Sequence, residues 1–180
     1  MLVLASASPR RAEILLQAGI PFTVRTAPVD ETPASGEQPE DYVRRVAEMK
    51  VLAVNHAADE TVLGADTTVV IDGEMLGKPA DDSDARRMLG LLSGRRHQVL
   101  TGVSIRRGPS LIRDFAATSV WFAPMTEAEI EGYVASGEPR DKAGAYAIQG
   151  LASKFIDRID GDYFNVVGLP IALVYRYLRT

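Results

Sequence analysis

The stretch Leu2-Val-Leu-Ala-Ser-Ala-Ser-Pro-Arg-Arg-Ala-Glu-Ile-Leu-Leu-Gln-Ala-Gly19 sets the architecture of the chain. Leu2 to Ala5 is a short apolar run that predicts a buried strand. Ser8 then stands as a helix N-cap with Pro9 at the first helical position, Ile14, Leu15 and Ala18 form an apolar stripe, and Gly19 supplies the stop. A strand running straight into a helix start is a place where free backbone N–H groups attract anions. Here Ser6, Ser8, Arg10 and Arg11 surround that start. Cations in a first turn oppose the helix dipole by about 0.3–1 kcal/mol each, so something must compensate them. Two readings stand side by side: a phosphate cradle, or an N-cap with two solvated arginines.

Working outward, Phe22 to Thr26 alternates as a second strand, and Asp30 to Gln38 is a polar loop carrying Asp30 and Glu31. Pro39 to about Ala57 has helical spacing through Val43, Val46, Ala47 and Leu52. Thr61 to Ile71 is a β-branched run that Gly64-Ala-Asp66 interrupts, and Asp72-Gly73 turns it into a short hairpin arm ending at Gly77-Lys-Pro79. Ser83 to Leu92 reads as a helix, His97 to Arg106 and Leu111 to Phe122 as long strands, and Thr126-Glu-Ala-Glu129 as a capping box. Phe155 to Ile159 predicts a last strand, and Pro170 to about Leu178 a terminal helix. Strands and helices alternate, so the class is α/β or α+β with a mixed sheet. At 180 residues, residues 1–180 form one domain, with or without a small lobe.

Composition narrows the function. With 20 Lys and Arg against 24 Asp and Glu, the net charge is −4, which argues against nonspecific nucleic-acid binding and makes any phosphate site a local basic patch. There is no cysteine, which removes disulfides, thiolate metal sites and a Cys nucleophile. With only His56 and His97, a zinc site lacks ligands, whereas Mg²⁺ or Mn²⁺ takes carboxylate and water oxygens. No apolar run approaches spanning length and Met1-Leu-Val-Leu lacks a signal-peptide pattern, so no membrane and a cytoplasmic location are expected.

Among single residues, Glu31 in its loop and Asp66 at the strand interruption are carboxylates able to converge on a metal or a water. The alternatives are a solvated loop acid and a bulge acid bonded to nearby backbone. Lys50 and Lys78 are point charges for phosphate or ordinary surface lysines. Gly73-Glu-Met-Leu-Gly77-Lys-Pro79 is not a P-loop: it has three residues between its glycines, and Pro79 where a hydroxyl must meet Mg²⁺. Nothing in the pattern makes His97 catalytic. Gln149, beside Gly150, has an amide that both donates and accepts.

Taken in order, Leu4-Ala-Ser-Ala-Ser-Pro-Arg-Arg11, Asp30-Glu31, Arg45-x-Ala-x-x-Lys50, Gly64-Ala-Asp-Thr67, Gly77-Lys-Pro79, Ser93-Gly-x-x-His97, Thr101-Gly-Val103, Asp141-Lys-Ala-Gly-Ala-Tyr-Ala-Ile-Gln-Gly150 and Asn165-Val-Val-Gly-Leu-Pro170 resemble the Maf family across the whole chain. The resemblance implies a nucleoside triphosphate pyrophosphatase with an α/β fold similar to inosine triphosphate pyrophosphatases. Such a fold is a bent mixed sheet flanked by helices, with a cleft between two lobes. It implies a divalent cation, Mg²⁺, Mn²⁺ or Co²⁺, held with help from Glu31 and Asp66. It makes Asp66 the general base and Ser8, Arg11, Lys50 and Lys78 the triphosphate ligands. Arg10, Thr67 and Gln149 match the branch that prefers dTTP and UTP, not the 7-methyl-GTP branch, and a Gln amide pairs with the O4 and N3–H edge of uracil or thymine. The family further implies a homodimer, a house-cleaning role toward modified pyrimidine nucleotides and a link to septum formation. A nucleotide-binding regulator without turnover is the alternative. Ala147 departs from the family, which often has Gly there.

Overall fold

In the computed structural model, which describes residues 1–179, β1 (Leu2–Leu4) and α1 (Pro9–Gln17) form the strand-loop-helix that the opening stretch predicts. The helix stops as Gly19 requires: at φ 67° Gly19 donates to the Leu16 carbonyl and Ile20 to the Leu15 carbonyl. This pair of bonds is the Schellman closure, which favours glycine because its left-handed backbone carries no Cβ penalty. At the other end Ser8 occupies the N-cap position with extended backbone, but its side chain makes no capping bond. Its backbone N–H instead donates to the Ser6 hydroxyl at 3.3 Å.

The remaining elements are β2 (Phe22–Val24), α2 (Pro39–Ala53), β3 (Thr61–Ile71), β4 (Glu74–Leu76), α3 (Asp82–Leu92), β5 (Arg96–Arg107), β6 (Ser110–Phe122), α4 (Glu127–Ala135), β7 (Ile156–Asp160), α5 (Tyr163–Val167) and α6 (Ile171–Leu178). One mixed sheet holds all seven strands in the order β2-β1-β3-β5-β6-β7, with β4 paired to β3. β1 runs parallel to both β2 and β3, while β3–β4 and β6–β7 are antiparallel. The expected α/β class with a mixed sheet and flanking helices is therefore the observed one. α2 stops at Ala53, short of the expected 57, and β2 ends at Val24. The Thr126–Glu129 capping box is complete, with both reciprocal bonds made.

Gly64-Ala-Asp66 does not interrupt the strand. β3 is continuous from Thr61 to Ile71, and the glycine has a packing reason. A Cβ at Gly64 would lie 2.5 Å from the Ala47 carbonyl oxygen and 2.7 Å from Val51 Cγ2, both on α2. A Cβ at Gly102 on β5 would overlap the Val43 carbonyl one turn earlier on the same helix. Two bare backbone positions thus let α2 lie directly against β3 and β5.

Two compact units are distinguished along the chain. The first comprises Met1–Asp66, Thr101–Ala116 and Gly168–Thr180, and part of its core is Val3, Ala5, Val51, Val54 and Val62. The second comprises Thr67–Leu100 and Ala117–Val167, with a core that includes Val69, Leu89, Leu92, Phe122, Tyr146 and Phe155.

Candidate active site

Strand alternation places Gly64 and Asp66 on the same face of β3, the face that α2 covers. On α2, Lys50 follows Ala47 by three residues and so shares its side of the helix. The close approach at Gly64 therefore brings Lys50 Nζ to 2.6 Å from Asp66 Oδ1. The same ammonium lies 2.8 Å from Glu31 Oε1, which arrives from the loop before α2. Three residues that sequence reasoning singled out separately thus meet at one point. Asp66 is only 5% exposed. Burial pushes its carboxyl above the ordinary value, the charges of Lys50 and Arg11 oppose that, and Glu31 adds to it.

Arg11 is buried too, on the first turn of α1. Its Nε donates to the Gly168 carbonyl at 2.8 Å and its Nη1 to the Ser6 hydroxyl at 2.9 Å. Burial lowers the guanidinium from its ordinary value, while the field of Asp66 pulls it back up. The reading of two solvated arginines thus fails for Arg11, while Arg10, next along the chain, is half-buried. Ser6, read only as one of two hydroxyls, has the specific task of orienting Arg11. Ser8, half-buried, keeps its hydroxyl out of any capping bond at the same helix start.

Glu31 stands in a loop without regular structure that needs its own support. Arg45 on α2 grips Glu37 with two bonds, Nε to Oε1 at 2.6 Å and Nη2 to Oε2 at 2.8 Å. Its Nη2 also donates to the Thr32 carbonyl at 3.1 Å, one residue beyond Glu31. Glu37 accepts the Ala34 N–H, and Arg45 holds the Glu37 carboxyl down at about 2. Asp30, for its part, accepts the Thr32 N–H at 2.9 Å. So α2 supplies both the ammonium that meets Glu31 and the guanidinium that shapes the loop carrying it. The role of Glu37 was missed in the sequence, because nothing in an eight-residue spacing across a helix start betrays a loop brace.

The other candidates belong to the second unit. Thr67 follows Asp66 on β3, is half-buried, and by strand alternation points to the opposite face. Lys78 is exposed just after Gly77, whose carbonyl accepts the Gly144 N–H at 3.0 Å. Gln149 is exposed on a turn closed by the Gly150 N–H on the Ala147 carbonyl. The backbone irregularity nearby sits at Ala145, with φ 59°, and not at Ala147. His97 is a core residue: Nε2 is 2.8 Å from the Tyr146 hydroxyl, Phe122 packs edge-on, and burial drives the imidazole down to about 4. No group of three or more His, Cys, Asp or Glu gathers as a metal site among the described residues. No helix among them is long and apolar enough to cross a membrane.

The family described as Maf-like protein matches residues 1–180. A dTTP/UTP pyrophosphatase of Symbiobacterium thermophilum is 54% identical over 171 residues, covering 94% of this chain and 88% of the relative. Proteins of the same name are 52% identical in Pseudoalteromonas atlantica, covering 95% of this chain and 92% of that one, and 54% identical in Anaeromyxobacter dehalogenans, covering 99% and 92%. The solved structure of the Staphylococcus aureus Ham1 protein superposes with a TM-score of 0.53 over 99% of this chain and 97% of that one. At 17% identity this last likeness speaks to the fold alone.

Proposed function

This chain belongs to the Maf-like protein family, and we propose that it is a nucleoside triphosphate pyrophosphatase that converts dTTP and UTP to the monophosphate and pyrophosphate. Relatives at about half identity bear the name dTTP/UTP pyrophosphatase, which supports the reaction and the substrate class. The observation that carries the mechanism is the buried Asp66 carboxylate, bonded to Lys50 and facing the charge of Arg11.

In this reading Asp66 takes a proton from the attacking water, and burial favours that step by raising its basicity. Arg11 and Lys50 meet the phosphate oxygens, and the positive end of the α1 dipole, with the Ser8 hydroxyl, receives another part of the chain of phosphates. Lys78 is a further phosphate cation. Gln149 reads the pyrimidine edge through its amide, with Arg10 and Thr67 marking the same preference.

The donor set fits a hard divalent cation. Glu31 and Asp66 direct carboxylate oxygens at one point, where Lys50 Nζ now lies 2.8 and 2.6 Å from them. Two carboxylates leave most of an octahedral shell to water and substrate phosphate, as Mg²⁺ and Mn²⁺ prefer. When bound, such an ion neutralises the developing charge on the phosphoryl oxygens. A regulator that only binds nucleotide needs the cations but has no use for a desolvated carboxylate among them.

The test is a metal-titrated assay with dTTP, UTP, CTP and GTP, using substrate labelled at the γ-phosphate. Label in pyrophosphate, with dTTP and UTP fastest, is expected. Label in orthophosphate refutes the cleavage position, and binding without turnover under every metal refutes the enzyme reading.

A further inference from the structure

The loop that presents Gln149 rests on a bonded pair of side chains that neither the motif reading nor the proposed reaction uses. Ala147-Ile-Gln-Gly150 is a β-turn closed by the Gly150 N–H on the Ala147 carbonyl at 3.1 Å, so Ile148 and Gln149 are its two corner residues. The backbone at each end of that turn is pinned from beneath. The Ala147 N–H donates to the Tyr133 hydroxyl at 3.2 Å, and the Leu151 N–H donates to Glu138 Oε2 at 3.1 Å. The two acceptors are themselves joined, the Tyr133 hydroxyl donating to Glu138 Oε1 at 2.7 Å.

Each partner is held in turn. Tyr133 is 4% exposed on α4 and packs edge-on to Phe155. Burial and the adjacent Glu138 push its hydroxyl well above the ordinary range, which keeps the proton that the bond to Glu138 needs. Glu138 begins a short 3₁₀ turn, its N–H on the Ser136 hydroxyl and its carbonyl accepting Lys142 Nζ at 2.7 Å. Gly150 is required here by space and not by φ, which is −106°. A Cβ on it would overlap all three carboxyl atoms of Glu138. A side chain after Gln149 would therefore displace the carboxylate from beneath the turn.

We propose that Glu138 and Tyr133 are positioning residues for nucleobase discrimination, acting by fixing the 147–151 turn that presents Gln149. The proposal rests on the reading of Gln149 as the residue that meets the base edge. An amide distinguishes uracil from cytosine only if its oxygen and nitrogen are held at fixed places, since a turn free to rotate presents either atom to either base. Two backbone anchors on one rigid pair remove that freedom, whereas one anchor leaves a hinge.

The experiment compares kcat/KM for UTP and for CTP in the wild type and in Gln149→Ala, Glu138→Ala, Glu138→Gln and Tyr133→Phe, with thermal melts on each. Glu138→Ala is expected to lower the UTP-to-CTP ratio about tenfold, mainly through KM for UTP, with kcat on UTP changed less than about threefold. Glu138→Gln restores most of the ratio, because an amide oxygen still accepts from Leu151 and its NH₂ can face Tyr133. Adding Glu138→Ala to Gln149→Ala lowers the ratio no further. If Glu138→Ala does not fold, Tyr133→Phe decides, since it removes one hydroxyl and keeps the buried ring. A wild-type ratio in folded Glu138→Ala or, failing that, Tyr133→Phe, beside a collapsed ratio in Gln149→Ala, overturns the proposal. A wild-type ratio in Gln149→Ala overturns the base-reading role of Gln149 itself, and the proposal with it.

Discussion

Replacing Gly64 with alanine tests the geometric origin of the site, because it adds one methyl group between β3 and α2 while leaving Glu31, Lys50 and Asp66 themselves unchanged. The new Cβ would stand 2.5 Å from the Ala47 carbonyl oxygen and 2.7 Å from Val51 Cγ2, where ordinary contact begins at 3.4 Å. The Val51 methyl can turn away, but the Ala47 carbonyl is part of the α2 backbone and cannot. The helix must therefore retreat from β3 by about 0.9 Å, the difference between the contact distance and 2.5 Å. Lys50 is one turn further along the same helix, so its 2.6 Å bond to Asp66 stretches toward 3.5 Å, the outer limit of a hydrogen bond. Overpacking of this kind costs about 1–3 kcal/mol of stability. A misplacement of about 1 Å in a catalytic group costs on the order of 10²-fold in rate. The assay is kcat/KM on UTP with saturating metal, beside urea unfolding to establish that the variant is folded. Gly102→Ala, which presses on the Val43 carbonyl of the same helix, is expected to act in the same direction. A folded Gly64→Ala protein with turnover within about threefold of wild type would refute the claim that close packing of α2 places Lys50.

Three further outcomes are expected. Asp66→Asn should lower turnover by ~10²–10⁴-fold while nucleotide still binds, as seen by calorimetry; near-normal turnover removes Asp66 as the base. Arg45→Ala should raise the metal concentration needed for half-maximal rate in the same direction as Glu31→Gln. Arg45→Lys should not rescue it, because the grip on Glu37 is bidentate; an unchanged metal requirement would mean that the brace does not position Glu31. His97 has a folded-state value of about 4 against an ordinary 6.5, so the neutral ring is favoured by folding. Its contribution is complete above pH 6.5 and is lost as pH falls through that value toward 4, by about 3 kcal/mol in all. Urea unfolding near neutrality and at about pH 4.5 should show that loss in the wild type and a smaller one in His97→Gln; equal losses would refute it.

What the sequence made legible was what short-range chemistry encodes. The Gly19 stop and the Thr126–Glu129 box depend on residues within a few positions of each other and appear as read, while Ser8 takes the N-cap position before Pro9 without a side-chain capping bond. The short helix α5, five residues long, carried no such signal. Gly64-Ala-Asp66 was misread because its cause lies elsewhere in the chain: the glycine answers to Ala47 and Val51, and no local rule distinguishes a helix-packing glycine from a strand break. The same holds for the brace around Glu31, where Arg45 and Glu37 are related by three-dimensional position and not by a helical repeat. In the sequence Glu31, Lys50 and Asp66 stand out only one at a time, as residues of the right chemical type. Their meeting at one ammonium is the part that only the fold supplies.

The two positions that broke local rules most plainly, an arginine pair in a first turn and an acid within a buried strand, are those whose charges now face each other. Arg11 and Asp66 both lose hydration, and burial pushes each toward its neutral form; the field of each opposes that push in the other. Such a pair is a poor device for stability and a good one for holding charge ready. Its balance also limits what it can attract. Arg11 and Lys50 are matched by Glu31 and Asp66, and Arg10, whose charge also acts on Arg11, leaves the cluster a small positive surplus. In the proposed reaction a triphosphate carries more negative charge than that surplus offsets, and the two carboxylate oxygens that converge beside Lys50 are where a divalent ion would add cationic charge.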